Sequence, residues 1–330
     1  MAIFSNVMHP SQYHGFGAKP PFFEGWYYKL VSQDQNHRFA IIPGVYLAET
    51  PQKSHSFIQV FNSEADQVVY HRYPLAAFES AKDKFQIQID SNVFTSDGIR
   101  LAIDDDLGTV TGSLALTDLK RWPVRVISPG AMGWFAWVPF MECYHGVVSM
   151  DHTIEGSLTI DGHDLDFSGG QGYIEKDWGK QFPKAWIWGQ SNHFDRPGIS
   201  LMMSVAVIPW LGRSFAGFIG GFLFQDRLYR FATYNCSKIE GLSIDDQAAN
   251  LVLRNAGYRF HIKAIRAGGG LLQAPTMVEM NRRILETLNA KIQVRLEKIG
   301  GPVLYEGMGV NAGLETVGDL DLLMKMVKKY

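Results

Sequence analysis

Residues 171–194 read QGYIEKDWGKQFPKAWIWGQSNHF, and the alternation of their side chains decides the fold. Trp178, Trp186 and Trp188 fall among Glu175, Asp177, Gln190, Asn192 and His193, and a Gly–Lys–Gln–Phe–Pro break at 179–183 separates two runs. In an extended chain successive side chains face opposite ways. The first run then gathers Tyr173, Glu175 and Asp177 on one face. The second gathers Trp186, Trp188, Gln190, Asn192 and Phe194 on one face, and Ala185, Ile187, Gly189, Ser191 and His193 on the other. Large aromatics mixed with a few amides and carboxylates suit a site for a bulky, mostly apolar ligand. The same aromatics equally suit the core of a sheet, with the amides at its edge.

Outward from that stretch, 330 residues exceed what one core usually serves, so two domains are expected. A formal net charge of −2 gives no electrostatic case for binding nucleic acid. Aromatics at 13% and 33 glycines suit a β-rich protein with tight turns and a lined cavity. The two cysteines, Cys143 and Cys236, make no disulfide framework, so a reducing, cytoplasmic setting is expected. The first residues, MAIFSNVMHPSQYHG, lack the basic region and apolar run of a signal peptide. The stretch 199–224 is long and apolar enough to span a membrane. Pro209, Trp210, Gly212 and Arg213 break it in the middle, which predicts two buried strands and a hairpin, with a peripheral membrane contact left open.

Strand signals recur along the chain. FFEGWYYKLV (22–31) puts Phe22, Glu24, Trp26 and Tyr28 on one face. KFQIQID (84–90) alternates Phe85, Ile87 and Ile89 with Gln86 and Gln88, and Asp97–Gly98 and Asp161–Gly162 mark hairpins. MVEMNRRILETLN (277–289) spaces Met277, Met280, Ile284 and Leu288 at helical intervals and is expected to be a short helix. LDLLMKMVKKY is expected to form a terminal helix. Many short strands with little helix predict a mainly β protein of sandwich or barrel type. The strand count divides it into two units, 1–170 and 171–330. Neither a Gly-rich phosphate loop, nor G-x-S-x-G, nor H-E-x-x-H occurs, and the histidines show no ligand spacing, so neither cofactor nor metal is expected. For an enzyme, this inventory leaves acid–base chemistry in a shaped apolar pocket.

Three separated stretches, with a short Ala–Pro segment besides, carry a resemblance. Tyr13–His14–Gly15 with FFEGWYYK, then IEKDWGKQFPKAWIWGQSNHF, then APTM (274–277) and VNAGLE (310–315), resemble in order the motifs of the tocopherol cyclase family. The segment PFMECYHGVVSMDH (139–152) departs from the plant members, so fold and reaction style are implied more firmly than substrate. The wider superfamily, with the carotenoid hydratases and AttH-like proteins, implies two lipocalin-like (calycin-type) antiparallel β-barrels.

The family reaction closes a chromanol ring on a prenylated quinol. An alkene takes a proton, tertiary cation character develops, and the phenol oxygen attacks it. That chemistry asks for a carboxylic acid, aromatic faces for the cation, and a group to hold the phenol and accept its proton. The resemblance implies Asp177, Glu175 and Glu24 as acids, with Asp177 first, and His145 and Tyr28 as proton acceptors. It implies Trp26, Tyr173, Trp178, Trp186 and Trp188 as cavity lining, and Gln190 and Asn192 as phenol-orienting groups. The partner implied is a hydrophobic small molecule, a prenylated quinol or another isoprenoid or lipid. A carrier without catalysis, and a hydratase or isomerase of another polyene, are the competing readings.

Overall fold

The computed structural model describes residues 6–328. The first unit is built from β1 (Phe22–Val31), β2 (Arg38–Leu47), β3 (His55–Asn62), β4 (Gln67–Pro74), β5 (Phe78–Ser80), β6 (Gln86–Ile89), β7 (Asn92–Thr95), β8 (Gly98–Asp105), β9 (Gly108–Thr117), β10 (Cys143–Ile160), β11 (His163–Asp166) and β12 (Gly170–Gly179). Their order in the sheet is β4-β3-β2-β1-β12-β10-β9-β8-β7-β6-β5, with β11 on β10. The pairings are antiparallel. Period-two alternation produces them. In β8, Ile99, Leu101 and Ile103 are buried while Arg100, Ala102 and Asp104 face out. The inward residues of strands from both ends of the sheet share one core, including Trp26, Tyr28, Ile41, Ile58, Ile87, Phe94, Leu101 and Ile174. The sheet therefore wraps round on itself, as a lipocalin-like barrel does. His71 Nδ1 on β4 lies 2.8 Å from Asp105 Oδ2 on β8, so a polar contact joins strands from opposite halves of the path.

The second unit contains β13 (Trp186–Ser191), β14 (Ser200–Trp210), β15 (Arg213–Phe224), β16 (Arg227–Ala232), β17 (Lys238–Ile244), β18 (Ala248–Arg254), β19 (Tyr258–Ile265) and β22 (Val303–Val317), with most of β21 (Met280–Lys298). Their order is β16-β15-β14-β13-β22-β21-β19-β18-β17, and β20 (Gly270–Pro275) pairs with β21. Ile187, Leu201, Met203, Val205, Phe222, Leu253, Phe260, Ile292 and Val294 meet in its core. The expected terminal helix is α1 (Leu320–Val327), capped by Asp319, whose side chain accepts from Leu322 N. It buries Leu323 in that core. The stretch 199–224 forms the strands β14 and β15, joined at Leu211–Gly212, where φ is 46° and 79° as a tight twisted hairpin requires. No helix among the described residues is long and apolar enough to cross a membrane.

Two expectations change. The expected boundary at residue 170 falls instead after Phe182, and Gly270–Arg283 belongs to the first unit. The reason is that β12 pairs with β1 on one side and β10 on the other. The 270–283 hairpin is pinned by Tyr46 OH donating to Thr276 O at 3.0 Å, and by Gln59 donating to Gln273 O and accepting from Gln273 N at 2.9 and 2.8 Å. The expected helix at 277–289 is strand from Met280 onward instead. Met280, Ile284 and Leu288 are four apart, an even spacing that also places them on one face of a strand. Past register shifts at Thr287/Ala290 and Ala290/Ile292 the strand runs on, and Ala290, Ile292, Val294 and Leu296 alternate into the core of the second unit.

Candidate functional site

Strand β12 carries chemistry on both faces. Toward the core, Trp26 pairs with Lys176, Glu24 with Trp178, and Tyr144 of β10 with Trp178. Lys176 Nζ lies 2.5 Å from Glu24 Oε1 and 2.6 Å from His14 Nδ1, and reaches the carbonyl of Gln12. Its ammonium also sits 5.0 Å from the Trp26 ring centre and 4.6 Å from that of Trp178. His14 N donates to both Glu24 oxygens at 3.0 and 2.9 Å. The His14 ring stacks on Trp178 at 4.4 Å, and Tyr144 stacks on the same indole at 5.4 Å. Glu24 and Lys176 are wholly buried. Burial pulls Lys176 down to about 8, against the opposing pull of Glu24. Burial and then the Lys176 charge hold His14 below its ordinary value.

The opposite face gathers Tyr173, Glu175 and Asp177, as alternation predicts, and adds His145, which pairs with Asp177 across the β10–β12 ladder. His145 Nδ1 lies 3.0 Å from Asp177 Oδ1, and its Nε2 lies 3.6 Å from Glu175 Oε2. Tyr173 OH donates to Glu175 Oε2 at 2.6 Å. Burial, then the Glu175 charge, pushes the Tyr173 phenol well up, so it remains a donor. Just past His145 the ladder shifts register twice, between Val147 and Ser149 and between Ser149 and His152. Such bulges bend a strand and re-aim its side chains. An imidazole hydrogen-bonded to one carboxylate, with a second, tyrosine-anchored carboxylate 3.6 Å from its other nitrogen, brings together the groups that a short proton-transfer chain needs. One ligand atom from each of His145, Glu175 and Asp177 lies within 4.8 Å of the others, so the same three side chains are also a one-histidine, two-carboxylate donor set for a divalent cation. Burial, with Asp177 and Glu142 nearby, pushes the Cys143 thiol well up, which disfavours its thiolate.

The other sequence candidates have different settings. Glu24, expected as an acid, is turned to the opposite face of the sheet from Glu175 and Asp177, with its oxygens accepting from His14 and Lys176. Tyr28, expected as a proton acceptor, donates its hydroxyl to Thr95 O at 2.7 Å deep in the core, and burial pushes its phenol up. The Trp26 and Trp178 faces hold the Lys176 ammonium, and Trp26 Nε1 donates to Ser11 O. In the second unit, Trp186, Trp188, Gln190 and Asn192 are buried on the face of β13 turned from that unit's core, while Ala185 and Ile187 enter the core. Trp186 Nε1 donates to Glu315 Oε2 at 2.6 Å. Phe194 leaves the predicted face and packs on the core, because regular pairing stops at Ser191 and only a single bridge, His193 to Val310, follows.

His14, Lys176 and Tyr144 were absent from the expected site. Lys176 had a local signal, since alternation places it with Ile174 and Trp178 on the apolar face, where an ammonium must find a partner. Glu24, beside Trp26 on its own apolar face, is the matching half.

A protein-family model described as tocopherol cyclase-like matches residues 114–318, more than half of the chain, including His145, Glu175 and Asp177. A chloroplastic tocopherol cyclase of Zea mays is 23% identical over 237 residues, covering 58% of this chain and 50% of that protein. The chain thus spans about half the length of the curated relatives it matches. Among solved structures, CghA with Sch210972 is similar with a TM-score of 0.56 at 13% identity, covering 91% of this chain and 89% of that one. An AttH structure from Nitrosomonas europaea gives 0.50 at 14%, covering 89% and 92%. These two likenesses show the shared fold.

Proposed function

This chain belongs to the tocopherol cyclase-like family, and we propose that it adds an O–H group across an alkene, closing a chromanol ring on a prenylated quinol. The observation that carries the reading is His145 held between Asp177 and Glu175, with Tyr173 fixing Glu175. In the forward step a carboxylic acid gives its proton to an alkene carbon and a C–H bond forms. The neighbouring carbon takes tertiary cation character, the phenol oxygen attacks it, and a C–O bond forms as the phenol gives up its proton. No electrons are gained or lost. The protein must therefore give one proton and recover one, which an imidazole between two carboxylates does by passing it from one side to the other.

Exposure divides the roles. The Asp177 side chain is 26% exposed and that of Glu175 is 7% exposed, so Asp177 is the donor that meets substrate. Glu175, anchored by Tyr173, orients His145 and completes the relay.

The test is incubation of the purified protein with a prenylated benzoquinol under reducing conditions, with a chelator present so that the side chains act without a cation. The reading expects a product of unchanged mass that shifts in retention and no longer oxidises to a quinone. Tight binding with the quinol recovered intact would instead make the protein a carrier. Activity that appears only when a divalent cation is restored would make the three side chains ligands.

A further inference from the structure

Residues 119–141 of the first unit read LKRWPVRVISPGAMGWFAWVPFM, with Lys120, Arg121 and Arg125 and no acidic residue. The proposed chemistry uses none of them. Val124, Val126 and Ile127 are 38%, 55% and 83% exposed, and Trp134 and Phe140 are 44% and 56% exposed. Isolated exposed apolar residues need no explanation, but a run of them in one segment marks an interaction surface. The segment is also held in shape. Arg125 and Ser128 exchange backbone hydrogen bonds at 3.2 and 2.9 Å, and Trp137 Nε1 donates to Val126 O at 2.9 Å. Tyr144 OH anchors the far end on Val138 O, and Trp134 stacks on Phe135 at 4.0 Å.

We propose that this segment docks the protein on a bilayer surface bearing anionic headgroups. Ile127 and its neighbours enter the acyl boundary, the indole of Trp134 sits at headgroup level, and the basic side chains meet lipid phosphates. Each part matches a known preference. Aromatic rings with a polar edge favour the interface, an apolar tip gains by leaving water, and Lys or Arg near an anionic leaflet is attracted to it. Arg121 lies 3.6 Å from Asp97, so Lys120 and Arg125 carry the charge offered by the segment, and that charge favours an anionic surface over a basic or neutral one. The segment leads directly into β10 and His145, so docking brings the relay-bearing strand to the membrane. Only the further point, that an isoprenoid substrate is drawn from that membrane, rests on the function proposed above.

The test is co-sedimentation of the full chain with vesicles of neutral phosphatidylcholine, and with vesicles in which a third of it is replaced by phosphatidylglycerol. The wild type is expected to prefer the anionic vesicles and to release in high salt. Arg125→Glu should weaken binding roughly fivefold or more, the usual effect of one basic side chain at such a surface. Ile127→Asp should weaken it at least as much, and because Ile127 is so exposed the variant has no packing to lose. Both variants should turn over detergent-dispersed prenylated quinol like the wild type. Failure to bind vesicles, equal binding by Ile127→Asp, or indifference to lipid charge would each overturn the proposal. So would a concentration-dependent dimer that Ile127→Asp dissolves, which would make a second copy the partner. Vesicle binding without any turnover would leave the docking intact and count against the cyclase reading alone.

Discussion

Replacing Lys176 by methionine isolates the buried polar cluster. Methionine matches the length and apolar stem of lysine but leaves the Glu24 carboxylate with only His14 as a partner, through its backbone N–H and its ring Nδ1 at 3.4 Å. Glu24 and Lys176 are both fully buried, so water cannot take over the lost contact. Removing one member of a buried ion pair costs about 3–5 kcal/mol, because the remaining charge is left uncompensated. Lys176→Met should therefore destabilise the first unit by that amount. The lost cation–π contacts with Trp26 and Trp178 push in the same direction. Adding Glu24→Gln removes the stranded charge but keeps an oxygen for His14 N, so the double variant should recover most of the loss. The readout is urea unfolding followed by tryptophan fluorescence. With a slope of about 2 kcal/mol/M, the single variant should shift the midpoint of the first unit down by roughly 1.5–2.5 M, and the double variant by well under half of that. A single variant costing under about 1 kcal/mol would refute this account of a charge held only by its partner, as would a double variant that simply adds the two single losses.

Other perturbations probe different levels. Asp177→Asn and His145→Gln should each lower kcat by about 10²–10⁴-fold, the span of general acid–base catalysis, with the thermal midpoint held; full activity in either would remove that residue from the relay. Burial depresses His152 from 6.5 to about 3, so between those values the unfolded chain binds a proton that the folded chain refuses. Stability should then be complete above pH 6.5 and fall by on the order of 3–5 kcal/mol as pH drops toward 3. His152→Gln should flatten that acid limb in denaturant melts, and an unchanged limb would contradict the assignment. In the second unit, Gly318 has φ of 82° and an added Cβ would lie 2.0 Å from Lys184 O, whereas Gly212 has φ of 79° and open space. Gly318→Ala should cost clearly more than the roughly 1–2 kcal/mol of left-handed strain expected for Gly212→Ala. Equal losses in differential scanning would show that the clash relaxes.

Most strands were legible because burial on one face writes itself into the sequence with period two. The alternation of Ile87 and Ile89, and the turn at Leu211–Gly212, needed only local information. The misread helix at 277–289 shows the limit of that signal. A four-residue spacing fits both a helix face and a strand face, and only the continuation through Ile292, Val294 and Leu296 separates them. The boundary was misplaced because the pairing of β12 with β1 and β10 joins residues some 150 and 30 positions apart, which no local pattern records. The same limit shaped the site. Tyr173, Glu175 and Asp177 share a face by alternation alone, but His145 joins them only through the register of β10. Glu24 was assigned from its motif, yet its partners Lys176 and His14 come from strand pairing and from the segment before β1.

The most direct test of the account is the reaction run in heavy water with a prenylated benzoquinol, analysed by mass spectrometry and NMR. Proton-relay cyclisation predicts a chromanol carrying one deuterium on carbon, at the former alkene, and no oxygen from solvent. Unlabelled quinol recovered after saturating binding would contradict it, and an uncyclised product that had gained a solvent oxygen would replace ring closure with hydration.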